Sequence, residues 1–279
     1  MPEAATDLRT PAVELRDLAA SSGGFEILTE LNAAFPEGET SVVLGAAGSG
    51  KSTMLKAAAG ILVPDHGAVL YHGKDIARFS RKEELDFRAK TGFVFQDAAL
   101  WQNQNIMDNV AMPLKVHRPW MKGAEVSEAV RALLARLGYD EGLTMRPAEL
   151  SAGEQKLVSI ARAVIHEPDL VFMDDPTSNL DEDGTEHLFE LIEGLRARGA
   201  TVIVVTNNSD LAYRYADRLG VVKGGCVVVF GPYEEAIMGA ESALSGSLAR
   251  LKARGGRQRK PAEAQGADAG SEMSQRGDV

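Results

Sequence analysis

Thr40-Ser41-Val42-Val43-Leu44 runs directly into Gly45-Ala46-Ala47-Gly48-Ser49-Gly50-Lys51-Ser52-Thr53, and this stretch decides the fold. A β-branched run of strand length is followed by a glycine-rich loop, then by Met54, Leu55, Ala58 and Ile61 spaced for one helical face. The helix is expected over Ser52 to Ile61, closed by Pro64-Asp65. The loop fits G-x-x-x-x-G-K-[ST] in the strand-to-helix setting that gives the pattern its meaning. Glycines let the main chain curl until successive N–H groups face an anion. Lys51 then supplies a mobile positive charge for outer phosphates, and Ser52 an oxygen for Mg2+. A triphosphate with its metal is the expected occupant.

Upstream, Ala12 to Leu18 and Glu26 to Phe35 read as strands, giving an early β-rich portion. Downstream, about Pro113 to Leu150 is dominated by helical periodicity in Val126, Val130, Leu133, Leu134 and Leu137, ended by Gly138. The apolar runs Leu170 to Met173 and Val202 to Val205, with a helix over Glu182 to Arg198 between them, read as neighbouring buried parallel strands. The chain is therefore of α/β class. Asp174 follows the first of these runs, at the carboxyl end of a strand where ligands gather in open α/β sheets, so it can complete a Mg2+ shell. In Leu150-Ser151-Ala152-Gly153-Glu154-Gln155, Ser151 and Glu154 form a capping box for a helix from Gly153 to His166. Many ordinary helices begin in that way.

Composition narrows the setting. A chain of 279 residues with 44% apolar and 25% charged side chains is long enough and balanced enough to bury a core. Forty acidic against 30 basic side chains give a net charge of −10, which argues against a broad phosphate-neutralising surface, so no nucleic-acid partner is expected. The single Cys226 cannot form an internal disulfide, and the residues after Met1 lack a basic region followed by an apolar run. A cytoplasmic location follows as the expectation. No apolar run reaches membrane-spanning length, so any membrane role comes through a partner. The five His lack metal-ligand spacing, and zinc is not expected. Past Gly239, Leu244, Leu248 and Leu251 could form one more helix, whereas Gly255 to Val279 has almost nothing to bury and reads as a disordered tail.

Taken in order, these segments resemble the ATP-binding cassette (ABC) family over about residues 11–238. The phosphate loop is in place, Gln96 in Phe95-Gln96-Asp97 matches the Q-loop, and Leu150 to Gln155 is similar to the signature, whose usual form is Leu-Ser-Gly-Gly-Gln. Asp174 matches the Walker B acid and Asn179-Leu180-Asp181 the D-loop. The resemblance implies a P-loop NTPase core of ABC type with an antiparallel β subdomain and a helical subdomain over about residues 97–167. Residues 1–10 and 239–279 become terminal extensions. It also implies ATP and Mg2+ as cofactors, with the metal held by Ser52, Gln96 and Asp174. Two cassettes, of this chain or of this chain and a paralogue, would meet head to tail. Ser151, Gly153 and Glu154 of one would then face nucleotide held by the other, and the helix N-terminus gives this a physical basis. A transmembrane permease would read Gln96 and the stretch Asp97 to Gln102, holding the chain on the inner face of the cell membrane.

Three positions depart from the family pattern. Asp175 stands where Glu normally polarises the attacking water, and Asn207 where a switch histidine is usual. The aromatic residue expected near Ser22 for stacking on adenine is absent, with Phe25 as a displaced substitute. Lys51, Asp175 and Asn207 are the expected catalytic residues, and hydrolysis is expected to be slow. The resemblance supports the ATPase subunit of a membrane transporter. The alternative is an ATP-gated regulatory or scaffolding subunit, or the degenerate half of an asymmetric pair. Phe95 to Trp101 and Asn109 to Leu114 further resemble cassettes of phospholipid-trafficking systems of the Mla type.

Overall fold

A computed structural model describes residues 10–239 and Leu251. A four-stranded antiparallel sheet holds β1 (Pro11–Ser22), β2 (Phe25–Pro36), β4 (His66–Tyr71) and β5 (Lys74–Asp75) in the order β2-β1-β4-β5. The second sheet holds β3 (Thr40–Leu44), β6 (Thr91–Val94), β7 (Leu170–Asp174), β8 (Thr201–Thr206), β9 (Arg218–Lys223) and β10 (Cys226–Pro232). Its order is β10-β9-β3-β8-β7-β6, with only the β9–β10 pair antiparallel. Among the described residues the α-helices include α1 (Lys51–Ala58), α2 (Arg81–Lys90), α3 (Ile106–His117), α4 (Gly123–Arg136), α5 (Ala152–Val164), α6 (Glu182–Ala197), α7 (Ser209–Tyr215) and α8 (Tyr233–Gly239). Among the described residues, no helix is long and apolar enough to cross a membrane.

The continuous apolar runs of the parallel strands are explained by burial on both faces. Because side chains alternate across a strand, Val42 and Leu44, Val171 and Met173, and Val202 and Val204 face one core with α3 to α7. Val43, Phe172, Ile203 and Val205 face a second core with α1 and the antiparallel sheet. The parallel register Leu44 to Thr206, and Met173 to Val204 with Asp174 to Val205, brings the carboxyl ends of β3, β8 and β7 side by side. The loops that follow these strands therefore share one edge.

Four expected boundaries shift. Between β1 and β2, the left-handed Gly23 and Gly24 close a tight hairpin, and pairing extends to Ser22 and Phe25. α1 stops at Ala58 rather than reaching Ile61, because Gly60 turns left-handed at φ 62°. α5 starts at Ala152 and ends at Val164, slightly ahead of the expected span. Pro113 does not open the helical region but lies inside α3, which Asn105 starts by accepting the Asp108 N–H at 2.7 Å. Gly138 does follow the end of α4, at φ 75°. Leu251 is fully buried in the larger core, whereas Leu244, Leu248 and the expected disordered tail lie outside the described residues.

Candidate functional site

The loop after β3 is built by close approach. A Cβ on Gly45 would lie 2.4 Å from the Val222 carbonyl oxygen, and one on Gly50, at φ 99°, would lie 2.9 Å from Leu28 Cδ2 and 3.0 Å from the Ile27 carbonyl oxygen. Only glycine fits either position without displacing main chain. The first helical bond of α1 runs from Met54 N–H to Gly50 O at 2.9 Å, and Gly50 has no side chain to cap the first turn. The N–H groups of Lys51, Ser52 and Thr53 precede that bond, which makes this helix end favourable for an anion. Lys51 Nζ donates to the carbonyls of Gly45 and Ala46, each at 2.8 Å, so its charge lies over the loop. Burial pulls the Lys51 ammonium below its ordinary pKa, with Asp175 and Asp174 opposing that shift.

Two acids stand opposite. Asp174 is 2% exposed, and its Oδ1 accepts a hydrogen bond from Ser52 Oγ at 2.9 Å, which joins α1 to the end of β7. Burial raises its pKa, while the Ser52 hydroxyl, Lys56 and Lys156 oppose the rise. Asp175 has a left-handed φ of 43°, and its N–H donates to Val205 O at 2.8 Å. Thr206 Oγ1 donates to Asp175 Oδ1 at 2.8 Å and accepts the Asn208 N–H at 3.0 Å. Asn207 is exposed beside this network, and Asn208 caps α7. The expected residues of the phosphate loop and β7 thus converge with the end of β8.

The signature-like segment opens α5. Ser151 caps α5, with its N–H and Oγ–H donating to Glu154 Oε2 at 2.8 and 2.7 Å, so the expected capping box forms. Gly153 packs against the D-loop: a Cβ there would lie 2.8 Å from the Asn179 carbonyl oxygen. Asp181 caps α6 by accepting the Gly184 N–H at 2.8 Å. These contacts hold Ser151, Gly153 and Glu154 to α5 and the D-loop.

Sequence reading missed three neighbours. Lys156 is 1% exposed, and its Nζ donates to the carbonyls of Phe95 at 2.9 Å, Gln96 at 3.1 Å and Asp174 at 3.5 Å. Burial lowers its pKa to about 8, against the pull of Asp175, Asp174 and Asp97. Arg162 donates to the carbonyls of Ala98 and Ala99, each at 2.9 Å, and lies over the Trp101 ring. Thr206 is the third. Nothing local marks Lys156 or Arg162, because their acceptors lie far away in sequence; the available signal was two cations in the mostly apolar stretch Lys156 to Val164. Gln96 is exposed on the loop after β6, and that loop then passes through the left-handed Ala98 and Ala99. Beside it a cavity of about 590 Å³ is lined by Phe93, Phe95, Trp101, Met112, Val116 and His166, among others.

A mostly parallel sheet ending in a glycine loop, a lysine and a hydroxyl–carboxylate pair defines an α/β protein of the P-loop nucleotide-binding class. Residues 28–178 match the family model described as ABC transporter. The chain belongs to the ABC transporter family. It is 36% identical over 224 residues to the "Probable ribonucleotide transport ATP-binding protein mkl" of Mycobacterium leprae, covering 80% of this chain and 64% of that protein. It thus spans less than two thirds of that relative's length. The "Octopine permease ATP-binding protein P" of Rhizobium radiobacter is 34% identical over 235 residues, covering 81% of this chain and 89% of that protein. The fold is also similar to the ATP-binding cassette MJ0796, solved as a dimer in a post-hydrolysis state with ADP and Pi. There the TM-score is 0.74 at 30% identity, covering 79% of this chain and 98% of the other.

Proposed function

We propose that this chain is the ATP-binding and ATP-hydrolysing subunit of an ABC membrane transporter. The observation that carries the reading is the 2.9 Å bond from Ser52 Oγ to Asp174 Oδ1, which joins a phosphate-type loop to a buried acid. In this reading the uncapped first turn of α1 and the loop N–H groups receive the phosphates, and Lys51 swings from the loop carbonyls to the outer ones. Gly45 to Thr53 form the cradle. Mg2+ suits the hard oxygens of Ser52, Asp174 and Gln96, and when bound supplies charge neutralisation on the phosphates. Asp175 orients and deprotonates the attacking water, and Asn207 hydrogen-bonds the γ-phosphate. Phe25 is the candidate face for adenine: it is exposed on β2, close to Ile27 and Leu28, whose atoms abut Gly50.

Ser151, Gly153 and Glu154 present the start of α5 to nucleotide in a second cassette, of this chain or a paralogue. The dimeric MJ0796 cassette supports such a pairing. A permease docks at the cavity beside Trp101, where the Q-loop segment, Arg162 and α3 meet, and places the chain peripherally on the inner face of the cell membrane. The printed names of the relatives mention ribonucleotide and octopine. The cargo read from Phe95 to Trp101 and Asn109 to Leu114 is phospholipid. Lys51→Ala tests the core of the proposal: removing a charge-assisted contact worth roughly 1.5–3 kcal/mol should weaken Mg·ATP binding about 10- to 100-fold by calorimetry. Unchanged affinity would remove the foundation.

A second reading, a regulatory or scaffolding subunit with little turnover, rests on Asp175, whose shorter side chain is held by the Thr206 hydroxyl. Turnover with and without a permease separates the two.

A further inference from the structure

Lys156 is the one fully buried lysine among the described residues. Burying an ammonium costs several kcal/mol, and an apolar side chain of equal length would fill the same space without that cost. Among the described residues, no carboxylate lies in salt-bridge contact with it. The three N–H donors of its ammonium instead meet three main-chain carbonyls, of Phe95, Gln96 and Asp174. Two of those carbonyls belong to residues whose side chains are proposed to hold the metal. Lys156 therefore ties α5 to the ends of β6 and β7 at the point where both strands release their site residues.

The rest of α5 adds further contacts to the same strand and loop. A Cβ on Gly92 would lie 2.1 Å from the Ala163 carbonyl oxygen, so the far end of α5 packs directly against the β6 main chain. Arg162 holds the next carbonyls, of Ala98 and Ala99, both in left-handed conformations that alanine rarely adopts. The Q-loop is thus gripped at two successive places by two cations of one helix. The N-terminus of that same helix carries Ser151 and Gly153.

We infer that Lys156 is a positioning residue that sets Gln96 and Asp174 through their carbonyls and so makes their placement depend on where α5 sits. The inference rests on the nucleotide reading above and extends it. Closing a second cassette's nucleotide against the start of α5 would be felt at Gln96 and Asp174 of this chain through one buried side chain.

The test compares the wild-type full chain with Lys156→Met and, as a control, Lys51→Ala. Lys156→Met should lower kcat about 10-fold or more with KM changed less than about 2-fold. ATP affinity measured without Mg2+, which depends on the phosphate loop, should stay within about 2-fold, while the gain in affinity on adding Mg2+ shrinks. Amide exchange should quicken over residues 95–99 and leave β3 and α1 unchanged. Unchanged kcat overturns the inference, as does an equal loss of affinity with and without Mg2+, which is the pattern of general damage. Lys156→Gln, too short to reach all three carbonyls, is read in the same way if the methionine variant lacks a cooperative unfolding transition. A wild-type chain that neither binds nor turns over Mg·ATP overturns the underlying reading itself, a result distinct from a working wild type beside an unimpaired Lys156→Met.

Discussion

The Asp175 carboxylate is drawn toward β8 by the Thr206 hydroxyl, while its main chain is fixed by the bond to Val205 O. A left-handed non-glycine residue costs of order 1 kcal/mol, so this geometry is held by its surroundings. The reach missing from the side chain is one methylene, on a backbone held by the bond to Val205 O. Asp175→Glu should therefore raise kcat about 10-fold or more with little change in KM, as read by phosphate release. No gain in any setting would favour the scaffold reading. A second residue sets a pH limit on stability. His166 is 7% exposed, and its pKa is lowered to about 4, chiefly by burial and then by His117, with Arg118 and Arg198 adding to the fall and the Thr91 carbonyl opposing it. The unfolded chain binds that proton near pH 6.5, so between pH 6.5 and 4 it holds more protons than the folded chain, and stability falls as pH falls. By pH 5 the loss from this group should be about 2 kcal/mol. Thermal unfolding of wild type against His166→Gln should show a flatter acid limb for the variant.

At the scale of elements, the parts written in contiguous residues were legible. β3, the glycine loop and α1 declare themselves because strand, turn and helix signals follow one another. Asp174 was visible because β7 is an unbroken apolar run. The helix bounds were less so: helical periodicity was read only from about Pro113, but the side chain that starts α3 is Asn105. Lys156, Arg162 and Thr206 could not be assigned, since the first two bond to distant carbonyls and Thr206 to the Asp175 carboxylate, and such contacts across the fold leave no local pattern. The start of α5 shows what the capping signal concealed. Glu154 closes the box, but its carboxylate also puts a negative charge on the helix end proposed to face a partner's phosphates. The helix dipole favours that charge by about 0.3–1 kcal/mol, while a phosphate arriving there is repelled by it. Glu154→Gln keeps an oxygen acceptor for Ser151 and removes the charge. It should lower Tm slightly and tighten Mg·ATP-dependent dimerisation about 3- to 10-fold in sedimentation experiments. Weaker dimerisation would mean that α5 does not face a phosphate.

At the scale of the whole molecule, one chain keeps its phosphate loop and acids on one edge of the sheet, while Ser151 and Glu154 bond within the first turn of α5. Under the head-to-tail pairing proposed above, a complete site needs two chains and each dimer holds two such sites. The arrangement predicts complementation. A Lys51→Ala chain has a defective loop and a sound signature, and a Ser151→Arg chain the reverse. Each alone forms only sites with one bad half and should be nearly inactive. In a mixed dimer one site joins both defects and the other joins both sound halves. Equal mixing makes about half of the dimers mixed, each with one working site of two, so turnover per chain should recover to about a quarter of wild type where sites act independently. The recovery should rise and then fall as the ratio of the two chains is varied through equality, because only the mixed species carries a working site. Activity of the mixture that never exceeds the sum of its parents would place the signature outside the partner's site and leave each chain to complete its own.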